Sequence, residues 1–457
     1  MNRLKFALRL FVLVLFTTAF ASGKAGYEKV TEKTLFNGEK LYEYRLDNGF
    51  RVLFVPRHKA EVLTYQVWFR VGSLNEKLDP TLKKTGLAHL FEHMMFRGSK
   101  NYPDGKFDEI TSRIGSEKQN ATTYYYRTNY YESVPSSKLE TIMELEADRM
   151  ANLNLKKEVL EKEKGAVVGE YRRAMDQPTR KAWYELMRLM YRESPYRWTV
   201  LGSEEEIKGF TLEEAQYFYK TFYAPNNATL IVIGDTTEEK LMGLVTEYYG
   251  GMKAQQVPRP PVPDEPIQKK ERKETFSHRQ ATSEILMMGY RIPSISHPDI
   301  VPLSLLSTHL STGMESRFRK LLVDRGIAVG ASAGTSSSPD VFQVFVNMAE
   351  GQKSSKALSI IDNEISSIVK KGISEKEFRR ALNQELLNLY DDISDSSSLG
   401  TWLGEYLMLS DNYMRGFEVI DAYKSIKPED LQRVAKQYLT KKNRSVVVVT
   451  PAKKGKS

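Results

Sequence analysis

His89-Leu90-Phe91-Glu92-His93 sets two imidazoles four residues apart with a carboxylate between them. On a helix, positions i and i+4 share a face, so both rings can point at one ion. Glu92 would project beside them, where it can take a proton from water. The flanking Gly86-Leu87-Ala88 and Met94-Met95-Phe96 would seat such a helix in an apolar wall, and the pattern predicts a helix over 86–97. Two histidines leave a tetrahedral zinc one protein ligand short, with one position kept for water. The chain has no cysteine, so the third ligand is a carboxylate or another histidine. His58, His278, His297 and His309 read as ordinary surface or core residues. Glu163 and Glu170 lie on a second predicted helix, 156–175, seven residues apart and facing the same way. Spacing alone does not choose between them.

Outward from this pair of helices the chain reads as α+β. Asn48-Gly49 is a turn between strand-like runs, because Asn-Gly readily supplies positive φ. Val52 to Val55 and Val62 to Val71 flank it as strands, 137–151 is helical, and Thr229 to Ile233 is a short buried strand. Five prolines between Pro258 and Pro266, followed by Lys269-Lys270-Glu271-Arg272-Lys273, mark a linker. The expected division is therefore 22–250, a linker at 251–272, and 273–457. Leu212 to Ile233 runs helix, Tyr223, Asn227, strand, and Leu431 to Val449 repeats that order with Tyr438 and Asn443. The repetition suggests a duplicated domain.

The bulk composition excludes several classes. The absence of cysteine removes disulfide frameworks, thiolate metal sites and cysteine nucleophiles. Arg3, Lys5 and Arg9 precede an apolar run from Leu10 to Ala21 that ends in Ala19-Phe20-Ala21, the layout of a secretory signal peptide over 1–21. No later stretch is apolar enough for a membrane span, so a soluble, periplasmic protein is expected after cleavage. Without the three cations of that segment the net charge of +9 falls to +6. Opposite charges are interspersed throughout, and no nucleic-acid partner is expected.

The chain resembles the pitrilysin/insulinase family of zinc metallopeptidases, which includes the mitochondrial processing peptidases and their bacterial relatives. Its motif is His-x-x-Glu-His, followed about 75 residues later by a ligand glutamate; here Glu170 follows after 76 intervening residues. Gly72-Ser73 with Glu76, Gly86-x-Ala88-His89, Asn120-Ala121-x-Thr123 and Thr128-Asn129-Tyr130-Tyr131 also match, as do Gly313-x-x-Ser316-Arg317 and Arg325-Gly326-Ile327-Ala328. The resemblance implies two homologous α/β sandwich domains forming one half of a clamshell. It implies Zn2+ on His89, His93 and Glu170, Glu163 supporting the ligands from behind, Glu92 as the catalytic acid–base, and Asn120 with Ala121 gripping a peptide substrate as an added strand. Self-sufficient family members carry an Arg and a Tyr, seven apart, in the C-terminal half. Leu322 and Val329 occupy those places here, and neither can donate a hydrogen bond from its side chain. The departure, with a length that suits two domains rather than four, implies a heterodimer whose second subunit supplies the Arg/Tyr pair. A homodimer lacking the pair is the alternative arrangement. A zinc-retaining scaffold subunit with little hydrolytic activity is the alternative function.

Overall fold

The computed structural model describes residues 26–35 and 37–452, so the segment 1–21 lies outside the described residues. The strands form two sheets. The first holds β1 (Tyr27–Thr34), β2 (Lys40–Leu46), β3 (Arg51–Pro56), β4 (Val62–Phe69), β5 (Glu117–Thr123), β6 (Thr128–Pro135) and β7 (Ala228–Gly234), in the order β1-β2-β3-β7-β4-β6-β5. The second holds β8 (Arg272–His278), β9 (Ile285–Arg291), β10 (Ala328–Ser337), β11 (Asp340–Met348) and β12 (Arg444–Pro451), in the order β10-β11-β9-β12-β8. Read from β8 to β10, the second sheet repeats β3-β7-β4-β6-β5 strand for strand. In each, a single parallel pairing, β3 with β7 or β8 with β12, sits beside antiparallel neighbours.

The fold is thus a duplicated α+β sandwich, and the repeat is visible down to single side chains. Asn227 Nδ2 donates to the carbonyls of Phe222 and Arg70, at 2.8 and 3.3 Å. Asn443 Nδ2 donates to those of Tyr438 and Arg291, both at 2.8 Å. Each asparagine ties the end of a helix to the end of the strand that pairs with the one following it. The hydrogen bonds also correct the register read from sequence: Tyr438 stands at the place of Phe222, not of Tyr223.

The two halves interlock. The strand β7, with every residue buried, runs through the first sheet, and helices of the first half cover one of its faces. The other face is covered from the second half by the helix Ser396–Ser410, whose Leu399 and Leu403 join a core with Leu53, Val55, Trp68, Ile231 and Ile233. Reciprocally, the helix Pro178–Met190 leaves the first half and packs Ala182, Leu186, Met187 and Met190 onto Ile285, Met287, Val447 and Val449 of the second sheet. Residues 252–271 form no helix or strand, as the prolines require. They are nevertheless held down: Asn226 exchanges hydrogen bonds with Gln255, Glu265 accepts from the amides of 192–194, and Gln268 donates to the Arg444 carbonyl.

Candidate metal centre

The helix Leu87–Met94 begins where the chain can turn sharply. Gly86 has φ +98, and a Cβ there would lie 2.5 Å from the Leu201 carbonyl, so glycine is required on both counts. The amides of Gly86 and Ala88, which have no partner within the helix, donate to Glu76 Oε2 and Oε1 at 2.7 and 2.5 Å. Burial pushes Glu76 up to about 8 against the pull of those two donors. Leu87, Ala88, Leu90, Phe91 and Met94 are buried, so the apolar face fixes the rotation of the helix. That rotation brings His89 and His93 together, their rings 5.0 Å apart.

The helix Lys157–Met175 lies alongside. Glu170 Oε2 stands 3.7 Å from His89 Nε2 and 3.3 Å from His93 Nε2. One nitrogen or oxygen from each of the three residues lies within 4.8 Å of the others. Two helical turns earlier, Glu163, only 1% exposed, points at the other side of His93. Its Oε2 is 3.5 Å from Nδ1, and its Oε1 pairs with Arg97 Nε at 2.8 Å. The two glutamates left equivalent by spacing are separated by geometry: Glu170 meets both imidazoles, Glu163 the back of one.

The charges on the cluster follow from its surroundings. Burial and the neighbouring His93 hold His89 down to about 4. Burial also disfavours charge on His93, but Glu163, Glu170 and Glu92 outweigh it and push that ring up to about 9. His93 in turn holds Glu170 below the ordinary carboxylate range. On Glu163, burial works upward, yet His93 and Arg97 prevail and lower it.

Donor type and spacing fit zinc. Two imidazole nitrogens and one carboxylate oxygen are zinc ligands, and bonds of about 2.1 Å in a tetrahedron put donors roughly 3.4 Å apart. The 3.3 and 3.7 Å separations bracket that value.

Glu92 faces the same space from the next position on the helix. Its Oε2 accepts from Thr123 Oγ1 at 2.6 Å, and burial raises its pKa above the usual carboxylate value. Thr123 ends β5, the outermost strand of the first sheet, which also carries Asn120 and Ala121. Asn120 Oδ1 accepts from the amide of Ala121 at 2.8 Å, and the pairing with β6 shifts register between Glu117 and Asn120. The edge of β5 away from β6 has no strand against it among the described residues.

Sequence reasoning gave no role to Arg97, Thr123 and Glu76. Arg97 stands four residues beyond His93 on a basic-and-apolar stretch, a weak signal. Glu76, on the short helix just before, and Thr123, at the end of β5, reach the helix from other elements, which periodicity does not reveal. The other four histidines are not brought here: His58 pairs with Asp235 at 2.7 Å, His278 meets the Met175 carbonyl, His297 meets the amide of Asp299, and His309 is buried in the second half. Leu322 is fully buried in a π-helical turn at Arg319–Val323, and Val329 is exposed on β10.

Comparison with known proteins agrees with this architecture. Residues 51–204 match the family described as Insulinase (Peptidase family M16), and 209–385 match the Peptidase M16 inactive domain. The chain is 29% identical over 419 residues to a protein of Helicobacter pylori named zinc protease PqqE, covering 89% of this chain and 92% of that one. A crystal structure of a protease from Helicobacter pylori superposes with a TM-score of 0.85 at 27% identity, over 90% of this chain and all of that one. The periplasmic protease PqqL from Escherichia coli superposes with a TM-score of 0.75 at 19% identity. There, 93% of this chain corresponds to 48% of PqqL.

Proposed function

The chain belongs to the insulinase (M16) family of peptidases, and on that premise we propose that it is an exported zinc endopeptidase acting on extended peptides or unfolded segments. The observation that carries this reading is the convergence of His89, His93 and Glu170 beside Glu92, which Thr123 links to β5, an edge strand among the described residues. His89, His93 and Glu170 would hold the zinc, with Glu163 and Arg97 fixing the orientation of the His93 ring. Zinc held there would supply the Lewis acid that polarises the scissile carbonyl and acidifies water.

The protein's own groups do the rest. A peptide laid along β5 as an added strand is gripped through its main chain, which accepts many sequences and demands an extended conformation. Glu92, with its pKa raised by burial, removes the proton from the attacking water at a carboxylate oxygen and returns it to the leaving amine. The Thr123 hydroxyl holds Glu92 on the side of β5 where that peptide lies. The basic and apolar N-terminal run supports export to the periplasm. Leu322 and Val329, in place of an Arg/Tyr pair, support a heterodimer whose partner provides the missing donors.

The test is Glu92→Gln. The variant should bind zinc stoichiometrically by elemental analysis while cleavage of an unfolded protein falls at least a thousandfold. Residual turnover near wild type in the zinc-loaded variant would overturn the assignment.

A further inference from the structure

Away from the metal centre, four arginines converge on a cavity of about 440 Å³ at the junction of the two halves and the 252–271 connector. Arg45 and Arg51 come from β2 and β3, Arg70 follows β4, and Arg259 comes from the connector. Asp411, just past the helix Ser396–Ser410, is the acid that lines the space; Glu43 stands behind it. Arg70 donates to Asp411 Oδ1 at 2.7 Å and to the Leu407 carbonyl at 2.9 Å, and Arg51 lies 3.6 Å from Asp411 and 3.2 Å from Glu43. Those two arginines anchor the second-half helix to the first sheet.

Arg45 and Arg259 are not accounted for in this way. Among the described residues the carboxylate paired with Arg45 is the already shared Glu43, at 3.7 Å. Arg259 donates to a neutral partner, Asn227 Oδ1, at 3.1 Å. Four guanidiniums line the cavity with Asp411, and Glu43 pairs with two of them from outside it, so about two positive charges remain in excess, whose mutual repulsion an entering anion would relieve. Burial and the charge of Arg70 act against protonation of Arg259 and outweigh the pull of Asp411. Guanidinium forks match the oxygens of phosphate in pairs, and the excess matches a dianion or a more highly charged group. We propose that the cavity bounded by Arg45, Arg51, Arg70 and Arg259 binds a small phosphate-bearing anion of the pyrophosphate class. The ligand would tie the connector and both halves together.

Pyrophosphate itself is the probe. Titrated into the full chain in moderate salt and followed by calorimetry and thermal unfolding, it should bind saturably. At a hundred times its Kd it should raise Tm by a few degrees (roughly 2–5 °C). Arg45→Gln with Arg259→Gln removes the two least-paired charges and spares the Asp411 anchors. Without ligand this double variant should melt no lower than wild type, and it should bind pyrophosphate at least tenfold more weakly. Arg279→Gln, at an exposed pair elsewhere, should bind as wild type. Absence of saturable binding by the wild-type chain would overturn the proposal, as would equal affinity in the double variant. Neither readout involves peptide cleavage, so the outcome is independent of the peptidase reading.

Discussion

At the scale of single residues, the site depends on groups that carry no chemistry of their own. Glu163 is buried between His93 and Arg97, so Glu163→Gln keeps the shape and removes the charge that, on the zinc reading, would orient the ring. Zinc affinity, measured by competition with a chromophoric chelator, should fall about 10- to 100-fold with the fold intact. Unchanged affinity would show that the helix alone fixes His93. Asp340 supplies a pH dependence remote from the metal. Its Oδ1 is buried without a hydrogen-bond partner among the described residues, and burial pushes its pKa up to about 7 from 3.8. Between those values the folded chain keeps a proton that the unfolded chain has released, so stability falls as pH rises from about 4 to 7. Asp340→Asn should flatten that slope. From pH 5 to pH 8, wild type should lose roughly 1–2 kcal/mol more than the variant in denaturant unfolding, after allowance for partial exposure. Parallel pH profiles would contradict this. The pairing of His89 with His93 was legible in the sequence because the His-x-x-Glu-His spacing is local to one helix. Thr123 and Glu76 were not given roles, because their contacts cross from one element to another, 31 residues for Thr123 and 10 to 12 for Glu76.

At the scale of elements, the reciprocal helices test how closely the halves fit. A Cβ on Gly404 would lie 2.2 Å from the indole of Trp68, itself fully buried in the first sheet and unable to move aside. A Cβ on Gly289 of β9 would also meet a short contact, 2.3 Å, but with Met190 Sδ, near the end of a flexible side chain. Gly404→Ala should therefore cost about 1–3 kcal/mol by overpacking, and Gly289→Ala distinctly less, in urea unfolding. Equal losses would mean that the sheet yields as easily as a methionine. The strands β3, β4 and β7 and the helices Leu139–Ala151 and Lys157–Met175 were legible from their apolar patterns, whereas the edge strands β1 and β5, largely polar, were not. The exchange of helices was not. Residues 178–190 carry an ordinary amphipathic pattern, and nothing in a periodic face says which of two similar sheets it will cover.

At the scale of the whole molecule, the chain corresponds to about half of PqqL, and its second half lacks the Arg/Tyr pair that the family resemblance leads one to expect. The structure explains why this lack is not easily repaired from within. Leu322 is completely buried in the second-half core, so an arginine there would bury an unpaired charge. Val329, by contrast, stands 64% exposed on β10, and a tyrosine would be tolerated there without supplying the cation. On the heterodimer reading, donors to the developing oxyanion must then arrive on another chain, and such donors typically contribute a factor of about 100 to 1,000 in turnover. The purified chain should accordingly load zinc yet cleave unfolded protein slowly. Addition of a partner carrying the Arg/Tyr pair should raise kcat by at least tenfold at equimolar ratio, and alanine at the partner's arginine should abolish the gain. Full turnover by the isolated, monomeric chain would defeat the heterodimer while leaving the zinc peptidase itself standing.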